Sequence, residues 1–108
     1  MKLAEIYEFL DRLSPFEMQA SWDNSGLLLG DLSSEIEKIY ISLDLDSELV
    51  ANADENALFI THHPLIFKPL RDLASQNYPK NLIKTMICKN QSLICLHTNY
   101  DLSHLNAY

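Results

Sequence analysis

The residues best suited to chemistry in this sequence are histidines that follow two short apolar runs. His62 and His63 end one run and precede a proline, while His97 and Asp101 follow a second run, Leu93–Leu96. Imidazole and carboxylate together suit Zn, Fe, Mn, Ni or Co, and no CxxC pair offers the thiolates that would select for zinc. We interpret the two runs as strands that carry the parts of a divalent-metal site at their ends.

The adjacent histidines pose a geometric problem. Successive residues of a regular strand point to opposite faces, so His62 and His63 can share one site only if the chain bends there. Pro64 favours extended backbone at His63 but leaves room for that bend. The alternative is a pair of neighbouring metal ions, each bound by one imidazole. The fourth histidine, His104, lacks such a context and is not assigned to the site.

Strands and helices alternate in the surrounding pattern, which predicts an α/β fold with a mainly parallel mixed sheet and helices packed on it. The predicted helices are 3–13, 48–52 and a segment from about Asn77 to Lys89, and the predicted strands are 27–29, 39–45, 57–61 and 92–96. Asp46 or Ser47 is expected to cap the second helix. Ligands of such sheets bind beyond the carboxyl ends of the strands. This rule places Asp44 on the same edge as the histidines, although its role stays open.

The segment Ala20–Gly30 holds both glycines of the chain. Two interpretations are open for it: a loop capped by a buried Trp22, or a segment in which Trp22, Asp23 and Asn24 line a pocket. Asn99 likewise either orients a ligand or turns the chain.

Composition narrows the class of protein. A chain of 108 residues with a net charge of −7 is one small domain, 1–108, and is a poor match for a nucleic-acid partner. Its apolar runs are too short for a membrane span, and its first residues lack the apolar core of a signal peptide, so we expect a cytoplasmic location.

Five basic residues form either an anion-attracting face or a solvated helix surface: Lys68, Arg71, Lys80, Lys84 and Lys89. Cys95 is expected to be a small buried apolar residue.

Three motifs in order resemble the hallmark segments of one family. They are Ser21–Gly30, Ile60–Phe67 and His97–Asp101, and the likeness extends over essentially the whole chain. The family is that of the type 2 GTP cyclohydrolase I homologs, also called the Nif-three-like proteins.

The resemblance implies a Nif-three-like α/β fold, a ring-shaped homohexamer and two divalent metal ions. It implies that His62, His63 and Asp101 are metal ligands. His97 would be a catalytic residue beside the metal, either as a further ligand or as a proton carrier. Trp22, Asp23 and Asn24 match a segment that lies near the site.

The sequence departs from the family pattern in two ways. The family motif after the aspartate is usually glycine-rich and ends in Asn, whereas residues 102–106 contain no glycine. Family members also supply a further His and Glu ligand from a carboxy-terminal half, so we expect residues 1–108 to be the amino-terminal part of such an architecture. The expected function of the full-length form is metal-dependent hydrolysis of an unidentified small molecule, with GTP suggested by the family name alone. The alternative is a non-catalytic metal-binding protein with an interaction or regulatory role.

Overall fold

The computed structural model describes residues 1–102, and its strands form one four-stranded sheet. The strands are β1 (Gly26–Leu29), β2 (Lys38–Ser42), β3 (Ala57–Thr61) and β4 (Ser92–Cys95). Their order across the sheet is β1-β4-β3-β2. β2, β3 and β4 run parallel, while β1 pairs with β4 in the antiparallel direction. The predicted mainly parallel mixed sheet is therefore confirmed.

Helices lie on both faces of the sheet. They are α1 (Leu3–Leu13), α2 (Ser47–Asn52), α3 (Lys80–Cys88) and the single turn α4 (Thr98–Tyr100), with a 3-10 turn at Phe16–Met18. The predicted cap of α2 is confirmed, because the Asp46 carboxylate accepts a hydrogen bond from the Leu49 amide at 2.8 Å. Within residues 1–102, none of the helices combines the length and the apolar character that a membrane crossing requires.

Two element boundaries differ from the predicted ones. β2 ends at Ser42 rather than at residue 45, because the chain leaves the sheet in a bend where the Ser42 hydroxyl donates to the Asp44 carbonyl at 2.6 Å. α3 begins at Lys80, later than the predicted start at Asn77. The first bend matters for the site, because it brings residue 44 beside the end of β3.

Alternation along the central strands divides the core into two layers. Phe59 and Leu93 point toward α2 and α3, whereas Leu58 and Ile94 point toward α1. These four side chains are fully buried, so β3 and β4 form the centre of both layers. The central position of β3 and β4 explains why their sequences are almost continuously apolar.

The face that carries α1 is only partly covered. In the parallel register, Ile39 lies beside Leu58 and Ile41 lies beside Ile60, so all four share that face. α1 buries Leu58, yet Ile39 is 47% exposed and Ile41 is 81% exposed. With Leu43, which is also exposed, Ile39 and Ile41 form an uncovered apolar surface that we call the β2 surface.

The basic residues of α3 and its ends make local contacts. The Lys89 ammonium donates to the carbonyls of Val50, Ala51 and Ala53 at the carboxyl end of α2, where unpaired carbonyls attract a cation. Lys80 pairs with Asp72 at 3.0 Å, and Lys84 donates to the Ser75 carbonyl. These contacts favour a helix surface over an anion-attracting face for these three lysines.

The two glycines provide a test of this packing. Both have strongly positive φ angles, +123° at Gly26 and +128° at Gly30, but a Cβ at Gly30 would lie 2.5 Å from Ser92 Oγ, whereas at Gly26 the nearest atom is 3.9 Å away. We expect Gly26→Ala to lower the free energy of unfolding by about 1–3 kcal/mol through backbone strain. Gly30→Ala should lose about 1–3 kcal/mol more, because the added atom overpacks the contact with β4. Urea unfolding of both variants measures the difference, and equal losses would contradict it.

Candidate metal centre

His62 and His63 lie just after β3, in a bend rather than in the strand. The Thr61 hydroxyl donates to the His63 carbonyl at 3.0 Å, and the His63 amide donates to the Leu43 carbonyl at 3.0 Å. These two bonds turn the chain away from the sheet plane. As a result both imidazoles reach the same side, with ring centroids 5.2 Å apart.

His97 completes a group of three imidazoles from the ends of β3 and β4. Its ring centroid lies 5.0 Å from that of His62 and 5.8 Å from that of His63. One ring nitrogen from each histidine falls within 4.8 Å of the others. The carboxyl edge of the sheet therefore carries a three-histidine cluster that could hold a metal ion.

The Nδ1 atom of each ring is already engaged by an oxygen acceptor. His62 Nδ1 lies 2.9 Å from the Leu96 carbonyl oxygen, His63 Nδ1 lies 2.9 Å from Asp44 Oδ1, and His97 Nδ1 lies 3.0 Å from Asp23 Oδ1. A carbonyl or a carboxylate can only accept, so each Nδ1 must donate its proton. Each Nε2 of a neutral ring is then left with a free lone pair. Metal-bound histidines show this arrangement, in which the second nitrogen donates to a carboxylate or a carbonyl.

The spacing of the nitrogens bears on how many ions fit. Two nitrogens bound to one ion at about 2.1 Å each can be no more than about 4.2 Å apart. The cluster nitrogens lie within 4.8 Å of one another, so a shared ion requires the rings to close by at most about 0.6 Å. Nitrogen and oxygen donors without thiolates fit the borderline divalent metals. The donor set thus fits one ion after a small adjustment, and two neighbouring ions are also compatible with it.

Asp101 lies at the edge of this cluster. Its Oδ1 is 3.9 Å from His62 Nε2, and the side chain is partly exposed. Two ligand atoms on a tetrahedral ion are separated by roughly 3.4 Å. Asp101 is therefore near ligand distance from His62, but the imidazole of His97 groups more closely with His62 and His63 than Asp101 does.

Asp23 is the buried anchor of the site. Its side chain is 0% exposed, and its two oxygens accept hydrogen bonds from five donors. These donors are the Asn24 and Thr98 amides, the Ser25 and Thr98 hydroxyls and His97 Nδ1. Burial opposes ionisation, but the hydrogen bonds from Thr98 and His97 outweigh it and hold the pKa of Asp23 well below its usual range.

Trp22 and Asn24 lie on either side of this anchor. The indole ring is 61% exposed, so the interpretation of this loop as one capped by a buried tryptophan is wrong. The ring makes edge contacts with His97 and with Phe67, at centroid distances of 6.2 Å in both cases. Asn24 donates to the Ile66 carbonyl at 2.6 Å and ties the loop to the segment that follows the histidine pair.

The direction of β1 explains why this loop reaches the site. Gly26 pairs with Cys95 because β1 runs antiparallel to β4. The amino end of β1 therefore lies at the carboxyl edge of the parallel strands, and residues 22–24 precede that end directly. The sequence placed the histidines on this edge but gave no indication of the direction of β1.

Two other residues, Asn99 and Cys95, have roles that the structure clarifies. Asn99 is fully buried, donates to the Ser14 carbonyl at 2.7 Å and accepts from the His97 amide at 3.0 Å, so it holds the turn that carries His97. Cys95 is buried as predicted. Burial and then the charge of Asp23 raise the pKa of its thiol to about 12, and Sγ contacts the His62 carbonyl at 3.3 Å.

Asp44 was not among the predicted site residues, although its position after β2 was noted. The structure brings its carboxylate to His63, and the signal that could have identified it is its place at the end of a parallel strand. The fourth histidine, His104, and the rest of the segment that departs from the family pattern after residue 102 lie outside the described residues.

Comparison with known proteins places this chain and its fold in one family. The sequence pattern of Duf34/NIF3 (NGG1p interacting factor 3) matches residues 1–108. The chain belongs to the Duf34/NIF3 family.

Similar proteins in this family are longer than the chain. The GTP cyclohydrolase 1 type 2 homolog of Campylobacter jejuni is 65% identical over 108 residues, which are 100% of this chain and 45% of that protein. The GTP cyclohydrolase 1 type 2 of Helicobacter pylori strain J99 is 54% identical over 104 residues, 96% of this chain and 43% of that protein. A crystal structure of a Staphylococcus aureus protein has a TM-score of 0.85 at 38% identity and covers 94% of this chain and 33% of that one. The chain thus spans less than half the length of these relatives, and its α/β fold is that of the family.

The buried aspartate of this Duf34/NIF3 chain leads to a stability prediction. Asp23→Asn replaces an oxygen acceptor by an amide donor that faces other donors, so we expect a loss of about 1–3 kcal/mol in the free energy of unfolding at pH 7. Glu55→Gln, at an exposed loop carboxylate, is the control and should change stability by less than about 0.5 kcal/mol.

Acidification should reduce the difference between the parent and Asp23→Asn. The folded pKa of Asp23 is lowered below the unfolded value of about 3.9, so its stabilisation is fully present above that value and is lost as the pH falls through the folded pKa. Urea unfolding of the metal-free proteins at neutral pH and near pH 3, below the unfolded pKa, measures this effect. The expectation would be contradicted if the parent and Asp23→Asn differed more in the free energy of unfolding at low pH than at neutral pH.

Proposed function

We propose that this region is the metal-binding part of a divalent-metal-dependent hydrolase in the full-length form. The observation that carries the proposal is the set of three imidazoles whose Nδ1 protons are all committed to oxygen acceptors. Such rings present their Nε2 lone pairs without further cost in protonation or tautomer change. Family membership supports the proposal, since relatives carry the name GTP cyclohydrolase 1 type 2.

In this proposal His62, His63 and Asp101 hold the metal. A Zn, Fe, Mn, Ni or Co ion held there would lower the pKa of a water molecule and polarise the substrate. We propose two ions in the full-length protein, with further ligands from the polypeptide that extends beyond this region in the relatives. Asp101 joins the ligand set by closing its distance of 3.9 Å to His62.

His97 has a different role in the proposal, that of a proton carrier. Its Nδ1–H points to Asp23, whose buried carboxylate fixes the tautomer and the orientation of the ring. His62 donates instead to a neutral carbonyl, and the Asp44 carboxylate that faces His63 is exposed to solvent, which screens its charge. His97 is therefore the imidazole best placed to accept a proton at Nε2 and release it again.

The alternative function is metal binding without catalysis, in an interaction or regulatory protein. It is supported by the description of the family, NGG1p interacting factor 3. The two functions separate when chelated protein is reconstituted with Mn, Fe or Zn and offered GTP and a panel of phosphoesters. Turnover that follows metal content supports the hydrolase, whereas stoichiometric metal without turnover supports the alternative.

The proposal includes a cytoplasmic location and a small-molecule substrate.

Asp44 and Asp46 provide a matched test of the metal site. Asp44 engages His63 Nδ1, while Asp46, two residues later, caps α2 and engages no histidine. We expect Asp44→Asn to weaken zinc affinity by about 10- to 100-fold, because loss of an outer partner releases the orientation and the tautomer of the ring. Asp46→Asn should leave the affinity unchanged, since Asn also caps helices. Calorimetric titration with zinc measures both affinities.

The ligands themselves are tested in the same titration. A double variant, His62→Ala with His63→Ala, should lose zinc binding altogether. If it binds zinc as well as the parent does, the proposed site is wrong.

We also propose self-association, with the ring-shaped homohexamer that the resemblance implies as the full-length assembly. The β2 surface supports it, because Ile39, Ile41 and Leu43 form a contiguous apolar area on the outermost strand. This area continues toward the metal centre as an open cavity of about 650 Å³ that Ile60, Leu96 and Tyr100 help to line. Covering such a surface is a strong driving force for assembly.

Two isoleucines on opposite sides of the sheet test the assembly. Ile41 lies on the β2 surface, whereas Ile87 is an exposed isoleucine on α3. We expect Ile41→Lys to shift the protein toward monomers by at least tenfold in dissociation constant, because a charge in an apolar interface is costly to desolvate. Ile87→Lys should leave the distribution unchanged. Sedimentation velocity over a concentration series measures both, and equal behaviour would contradict the assignment of this surface.

A further inference from the structure

Exposed aromatic rings surround the three-histidine cluster. Trp22 and Phe67 contact each other, Trp22 contacts His97, and Tyr100 contacts His62 at a centroid distance of 6.4 Å. All three aromatic side chains are more than 40% exposed. Large aromatic groups left in water beside a cluster of polar side chains are characteristic of ligand sites.

The interplanar angle of the aromatic ring contacts differs between the core and the site. In the core, Tyr7 stacks on Phe16 with an interplanar angle of 21°, and Tyr40 stacks on Phe59 at 28°. Trp22, by contrast, meets Phe67 at 73° and His97 at 77°. Within residues 1–102, these contacts leave no aromatic ring parallel to the indole. With 61% of the side chain exposed, an indole face is accessible for parallel stacking.

The backbone beneath Trp22 is held firmly. The next residue, Asp23, is buried and accepts five hydrogen bonds, and Asn24 is bonded to the Ile66 carbonyl. An exposed ring on an anchored backbone loses little conformational entropy when a ligand covers it. Trp22 is thus a preorganised flat apolar surface rather than a side chain on a loose loop.

We propose that Trp22 is a binding residue on which a planar unsaturated ring of the small-molecule substrate stacks. The proposal rests on the proposed function of the metal centre and adds a substrate class to it. Offset-stacked rings have centroids about 4.5–7 Å apart. The centroids of the indole and of His97 are 6.2 Å apart, so a ligand that stacks on the indole can extend toward the imidazole that we assign to proton transfer. The site would then bind molecules that carry such a ring more tightly than molecules of the same charge that lack it.

A fluorescence titration tests this directly, because Trp22 is the single tryptophan of the chain. Guanosine monophosphate and ribose 5-phosphate serve as probes, since they share the sugar phosphate and differ in the ring. We expect guanosine monophosphate to quench the fluorescence in a saturable manner, and ribose 5-phosphate to have no such effect at the same concentrations. Identical responses to the two probes, or no response to either, would overturn the proposal.

Variants extend the test by calorimetry, which does not need the indole as a reporter. Trp22→Ala should weaken binding of guanosine monophosphate by about 5- to 150-fold, the range measured for loss of one aromatic stacking partner. Trp22→Phe should retain most of the affinity, because it keeps a flat ring. Phe9→Ala removes an exposed aromatic side chain of α1 and should change nothing. An equal loss in Trp22→Ala and Phe9→Ala would contradict a specific role for Trp22.

The failure of this inference can be distinguished from the failure of the metal site. Trp22→Ala should bind zinc as the parent does, whereas the double variant of His62 and His63 should lose zinc and still show ring-dependent quenching. If the parent binds no zinc, the proposed function fails, and the quenching in the metal-free protein still decides the role of Trp22. If the parent binds zinc but does not distinguish the two probes, only the inference about Trp22 fails.

Discussion

The buried carboxylate of Asp23 is the interaction on which the site depends. It joins the loop before β1 to the turn after β4, across 74 residues of sequence, and it orients the imidazole of His97. Five donors satisfy it, so hydrogen bonds offset the cost of burying its charge. An aspartate in this position is costly to bury unless every donor is in place. The requirement for all five donors therefore fixes the loop, the turn and His97 in one arrangement.

Much of the fold could be predicted from the sequence because its strands and helices have clear periodicity. Continuous apolar runs at 57–61 and 92–96 indicate strands buried on both faces, and β3 and β4 are the central pair. The rule for parallel sheets then places His62, His63 and His97 at one edge without knowledge of the tertiary structure. The cap at Asp46 was equally predictable, because it depends only on local sequence.

The rest of the site depends on information that is not local. A strand of four residues such as β1 can pair in either direction, and its antiparallel pairing brings Trp22 and Asp23 to the histidines. The same limit applies to Asp44, since the bend after Ser42 that directs it to His63 is held in part by a hydrogen bond from the His63 amide to the Leu43 carbonyl. Trp22 is a further case: a large apolar side chain is usually buried, and its exposure follows from its place at the rim of the site.

The wide sequence spacing of the site residues also has a consequence for folding. The imidazoles come from residues 62–63 and 97, and their oriented partners come from residues 23 and 44, so the cluster forms only after the long-range pairing of all four strands. An unfolded chain offers at most a neighbouring pair of imidazoles and binds a divalent ion weakly. A metal ion bound at this cluster would therefore be a ligand of the native state rather than a nucleus for folding, and at 100 times its dissociation constant it would add about 2.7 kcal/mol to the free energy of unfolding. A bound ion would slow unfolding, whereas the early steps of folding would depend on the apolar strands.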